Sequence, residues 1–146
     1  MTLIHATCIA LKHRGDWHGV LLRGPSGSGK SDLALRLIEM GGRLIADDQT
    51  RLVRKGQSLL ASAPAALAGL IEARGVGIVK LARAQLLARA PLALAADLVP
   101  DGKVERMPEP AYETILGVVL PVFAVAPFEA SATMKLRLAL AQIAAA

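Results

Sequence analysis

Residues 21–52, LLRGPSGSGKSDLALRLIEMGGRLIADDQTRL, place a glycine-rich loop and a pair of aspartates one short helix apart. Within the stretch, Gly24-Pro25-Ser26-Gly27-Ser28-Gly29-Lys30-Ser31 matches the phosphate-loop pattern G-x-x-x-x-G-K-[ST] throughout. Gly24, Gly27 and Gly29 let the backbone wrap so that successive amide hydrogens converge on phosphate oxygens. The helix that follows adds the positive end of its dipole. Lys30 brings a compact cation to the β and γ phosphates, and the Ser31 hydroxyl suits a metal ion. A turn of small residues is the bland alternative, but a chance match with an apolar strand before it and a helix after it is far rarer. The motif leaves open which nucleotide binds and whether hydrolysis or transfer follows.

After the helix, marked by Leu33, Ala34, Leu37 and Ile38 and stopped by Gly41-Gly42, the strand Arg43–Ala46 delivers Asp47 and Asp48. Most nucleotide-binding folds need a longer path to return an acid to the phosphates. One carboxylate at this strand end can hold the metal or its water, and the other can accept a proton from an attacking hydroxyl. The residues alone do not say which is which. Farther on, IEARGVGIV (71–79) offers Glu72 and Arg74 for metal and phosphate, with Gly75 and Gly77 allowing close backbone approach. Taken alone it is ordinary turn material, and His5 alone is a polar residue on a sheet face.

The rest of the chain frames these signals. Its 146 residues form one domain's worth of sequence, 53% hydrophobic and 20% charged, which excludes disorder. Aromatics are only 3%, so Leu, Ala, Val and Ile must build the core. The single Cys8 cannot form an internal disulfide and reads as a buried thiol in a reducing compartment. No apolar span approaches the roughly 20 residues a membrane helix needs. The nearest, ILGVVLPVFAVAPF, is cut into strand-length pieces by Pro121 and Pro127. No membrane association is expected, and the cytoplasm is the default. The net charge of +5 is dispersed and few aromatics could stack on bases, so no nucleic-acid binding is expected.

Strands are expected over residues 3–11 and 18–24, and in VGIVKLA, LALAADLV, ETILGVVL and VFAVA. A hairpin is expected across 50–62, turning at Lys55-Gly56-Gln57. LARAQLLARA suits a short helix or ordered loop. A closing helix spans 130–145, with Met134, Leu138 and Ile143 among its apolar positions. Many strands with two or three helices predict an α/β domain with a mixed β-sheet.

The phosphate loop, GGRLIADD and IEARGVGIV, in this order and spacing, resemble the catalytic domain of the HPr kinase/phosphorylase family. The likeness runs from about His5 to the closing helix and is strongest over 19–81. It implies a single P-loop kinase domain over 1–146 of the HPr kinase/PEP carboxykinase-like fold. It further implies an ATP- and Mg2+-dependent serine kinase for HPr, or an HPr-like phosphocarrier, of the bacterial phosphotransferase system. Many members also remove the phosphate, with inorganic phosphate as the attacking group.

Carried over by position, Lys30 would hold phosphates, and Ser31 and Glu72 would serve the metal. Asp48 or Asp47 would be the acid/base, His5 the active-site histidine, and Arg106, in VERMPEP, the later catalytic arginine. The resemblance also implies a homo-oligomer, a hexamer.

Two features depart from the family. The catalytic segment begins almost at Met1, without the N-terminal domain many members carry, as in short alphaproteobacterial forms. APFEASATMKLRLALAQ (126–142) also matches poorly the family's Gly- and Arg-containing segment tied to dephosphorylation. A small-molecule kinase or ATPase, and a non-enzymatic nucleotide sensor, are the competing readings.

Overall fold

The computed structural model describes residues 1–145. Its centre is a set of strands buried on both faces: β2 (Thr7–His13), β3 (Asp16–Arg23) and β9 (Arg89–Leu98). Alternate side chains on these strands enter two different apolar layers. Ile9, Leu11, Val20, Leu22, Leu94 and Ala96 face α1 (Lys30–Glu39) and α2 (Ala132–Ala145). Cys8, Ala10, Leu21 and Ala95 face the opposite way, against Leu52 and Ala61 of a hairpin that folds over that side. The hairpin consists of β5 (Thr50–Lys55) and β6 (Ser58–Ser62), with Gly56 at positive φ in the expected turn.

With β1 (Thr2–Ile4) and β4 (Arg43–Ala46) at its ends, the sheet order is β1-β5-β6-β9-β3-β2-β4, with β11 (Val118–Val125) parallel to β9 and β10 (Ala111–Ile115) antiparallel to β11. The long β9 makes this one mixed sheet. Its first residues pair with β6, and its later ones pair with β3 and β11. β2 is antiparallel both to β3 and to β4 (Arg43–Ala46), so β3 and β4 run parallel on either side of it. A crossover through α1 therefore returns the chain to the sheet edge where β3 ended. This explains the short return: the phosphate loop leaves β3 and the aspartates leave β4 at the same edge.

Several expected boundaries shift. The strand expected over 3–11 breaks at His5 and Ala6. Thr2–Ile4 is a separate β1 pairing with β5, while β2 pairs with β3 and β4. ETILGVVL is a hairpin rather than one strand, because Leu116 and Gly117 both take positive φ and turn the chain between β10 and β11. Pro121 lies inside β11, where the strand still pairs only with β10; β9 joins at Val122, so the missing N–H interrupts no second ladder. VGIVKLA contributes β8 (Gly77–Lys80), which pairs with β7 (Leu70–Ala73) in a separate two-stranded sheet. LARAQLLARA holds a single 3₁₀ turn, Arg83–Gln85. On α2, Met134 and Leu138 are exposed, while Ala132, Leu136 and Leu140 make the buried stripe. Among the described residues, no helix is long and apolar enough to cross a membrane.

Two consequences can be measured. Leu94, fully buried on the central strand, should cost about 2–5 kcal/mol on Leu94→Ala in denaturant unfolding; a loss under about 0.5 kcal/mol would contradict the packing. Cys8 is fully buried, and burial pushes its thiol far above the ordinary range. A thiol reagent at pH 8 should therefore react only as fast as the protein unfolds, whereas prompt labelling of the native protein would place Cys8 at the surface.

Candidate active site

At the end of β3, Arg23 is held by two carboxylates from two other strands. Its Nε lies 2.7 Å from Asp97 Oδ1 on β9, and a terminal nitrogen lies 2.7 Å from Glu113 Oε2 on β10. Burial works against the guanidinium charge, but the hydrogen bonds to Asp97 and Glu113 outweigh it and raise the pKa further. The strand end that launches the phosphate loop is thus fixed to two partners.

Gly27 and Gly29 then take positive φ, which side chains with a Cβ rarely adopt. Gly24 is needed for space: a Cβ there would stand 2.5 Å from Ser28 Oγ. The Ser28 amide donates to the Pro25 carbonyl at 3.0 Å, closing the turn. Lys30, nearly buried at the first residue of α1, donates from Nζ to the Gly24 carbonyl at 2.6 Å and the Pro25 carbonyl at 3.2 Å.

The loop opens into a cavity of about 380 Å³. Ser26, Gly27, Gly29, Lys30 and Ser31 line one side, with Asp48 and the β7–β8 residues Glu72 and Arg74 also at its wall. The fit to a nucleotide phosphate chain rests on the loop itself. Its glycine conformations, its helix N-terminus and its lysine are in place. The fit to magnesium rests on hard oxygen donors: the Ser31 hydroxyl and the Glu72 carboxylate line the same cavity. Among the described residues, no three His, Cys, Asp or Glu side chains cluster as a self-sufficient metal site. Magnesium tolerates that, because substrate phosphates and water complete its shell.

The two aspartates are in different environments. Asp47 is buried, and its Oδ1 accepts from Ser31 Oγ at 2.8 Å and Thr7 Oγ1 at 2.9 Å. Its Oδ2 accepts the Glu72 amide at 2.9 Å. Asp48 has an exposed side chain whose Oδ1 lies 2.7 Å from His5 Nε2, and its backbone sits at φ 66. The break between β1 and β2 is what turns His5 toward Asp48. Thr7 links the pair, since its hydroxyl also accepts the Asp48 amide at 3.1 Å.

Arg106 stands elsewhere. It lines a second cavity with Glu105, Glu129 and Lys135, not the phosphate cavity, because the segment between β9 and β10 packs toward the start of α2. Sequence reasoning missed Thr7, which sits inside an apolar run with no motif around it. It also missed Phe128, which lines the phosphate cavity and whose only signal is the rarity of aromatics in the chain.

Comparison with known proteins places the fold. The HPr kinase/phosphorylase of Limosilactobacillus reuteri is 37% identical over 112 residues, covering 70% of this chain and 35% of that protein. That of Levilactobacillus brevis is 48% identical over 62 residues, 42% of this chain and 20% of that protein. These matches span between a fifth and about a third of the curated relatives' length. The solved Hpr(Ser) kinase/phosphatase from Coxiella burnetii superposes with a TM-score of 0.84 at 25% identity, covering 99% of each chain. The HPr Serine kinase C-terminal domain family matches residues 2–127, and the chain belongs to that family.

Proposed function

We propose that residues 1–146 form a catalytic domain that transfers the γ-phosphate of ATP to a serine hydroxyl of HPr or an HPr-like phosphocarrier, with magnesium present. The observation that carries this reading is the division between the aspartates. Asp48 presents a carboxylate to solvent at the cavity wall, while the oxygens of Asp47 are already engaged by Ser31, Thr7 and the Glu72 amide. A phosphate-binding cavity with an accessible base at its wall suits transfer to an incoming hydroxyl.

In this reading Asp48 accepts the serine proton as the serine oxygen bonds to the γ-phosphorus and the bond to the ADP oxygen breaks. His5 holds the Asp48 carboxylate in place. Lys30 and the loop amides bind and orient the phosphates, and Asp47 keeps Ser31 and Glu72 in position. Ser31 and Glu72 would hold magnesium, which neutralises phosphate charge when bound. The names of the relatives support HPr as the acceptor. A cytoplasmic homo-oligomer, a hexamer, completes the proposal.

Incubation with labelled ATP and purified HPr tests it. Magnesium-dependent serine phosphate should form, and Asp48→Asn should lower the rate by about 10²–10⁴-fold while ATP still binds. His5→Ala should lose less than Asp48→Asn. Transfer to HPr that survives undiminished in Asp48→Asn would remove Asp48 from the chemistry. ATP hydrolysis with no transfer to HPr would favour an ATPase or small-molecule kinase. Light scattering on the purified chain tests assembly: a hexamer mass is expected, and a monomer contradicts it.

A further inference from the structure

Phe128 is one of only two phenylalanines in the chain, and it is the one left open, with 63% of its surface accessible at the wall of the phosphate cavity. The other, Phe123, packs against the helix-side core. An exposed aromatic ring at a cavity wall is unusual enough in so aromatic-poor a protein to ask what covers it.

The surroundings of the ring define an answer. It lies directly against Gly29 of the phosphate loop: a Cβ at that position would stand 2.9 Å from Phe128 Cζ and 3.4 Å from Pro127 Cβ. The turn that carries it is tied to α1. Arg36 donates to the Pro127 carbonyl from one nitrogen and to Asp32 Oδ2 from another, at 3.1 Å for the second. Leu35 of α1 lines the same cavity and adds apolar surface beyond the polar loop. The cavity wall therefore divides between the polar phosphate loop and the apolar side chains of Phe128 and Leu35. A nucleoside triphosphate has that same division between charged chain and flat base.

We propose that Phe128 is the stacking platform for the base of the bound nucleotide. The inference rests on the phosphate-loop reading and adds to it the origin of preference for a nucleotide over a bare phosphate chain. Stacking on one aromatic side chain corresponds to roughly 10–100-fold in affinity.

Calorimetric titration with Mg-ATP and, separately, with magnesium and inorganic tripolyphosphate tests it. Wild type should bind ATP more tightly than tripolyphosphate. Phe128→Ala should weaken ATP binding by about 10–100-fold and leave tripolyphosphate within about twofold. Phe128→Trp should retain ATP binding and gain a nucleotide-dependent fluorescence quench that wild type lacks, since its single tryptophan, Trp17, lies on β3 between Lys12 and Arg43. Unchanged ATP affinity in Phe128→Ala would overturn the inference, as would equal losses for both ligands. Equal wild-type affinity for ATP and tripolyphosphate would also overturn it while leaving the phosphate loop intact. If wild type binds neither ligand, the phosphate-loop reading fails and the platform with it.

Discussion

A buried carboxylate holds the site together. Asp47 would be costly to bury alone, and it is tolerated because three donors from three parts of the chain converge on it. Thr7 opens β2, Ser31 lies in the first turn of α1, and the Glu72 amide belongs to the β7–β8 hairpin. The apolar core already packs these elements together, and the carboxylate adds a polar link at their shared edge. The same carboxylate therefore ties together the strand edge, the helix that follows the glycine-rich loop, and the hairpin whose Glu72 and Arg74 reach the cavity wall.

The arrangement also explains why two adjacent aspartates stand in unlike environments. With Asp47 pulled inward, the backbone at Asp48 turns into the left-handed region, and its side chain emerges beside the cavity. Such a conformation is uncommon for a residue with a Cβ, though Asp tolerates it better than most. The Gln49 amide closes the turn on the Asp47 carbonyl at 2.7 Å. Thr7, touching both aspartates, keeps the inward and outward orientations from exchanging. Strain at one position thus accompanies the burial of its neighbour.

The phosphate loop, α1, β4 and the β5–β6 hairpin were legible in the sequence because each rests on local chemistry: glycines that must turn, helical spacing, and alternation around Gly56. The short return was legible too, but its cause was not. That cause is β2 lying between two parallel strands, a matter of sheet order that no local pattern encodes. The His5–Asp48 contact depends on the break between β1 and β2, which the apolar-rich run 3–11 conceals. The division between Asp47 and Asp48 required knowing what faces each carboxylate. Arg106 rests on resemblance alone, and its segment packs against a different part of the molecule. Leu116-Gly117 hid a turn inside an apolar run because a leucine at positive φ has no sequence signal.

The central claim is that Asp47, and not its neighbour Asp48, holds the site together, and denaturant unfolding of two variants tests it directly. Asp47→Ala leaves three donors without their acceptor and should cost about 1–3 kcal/mol or more. Asp48→Asn keeps a residue that tolerates positive φ and removes only an exposed contact, so its stability should stay within about 0.5 kcal/mol of wild type. Equal costs for the two variants, or a larger cost at Asp48, would contradict the account.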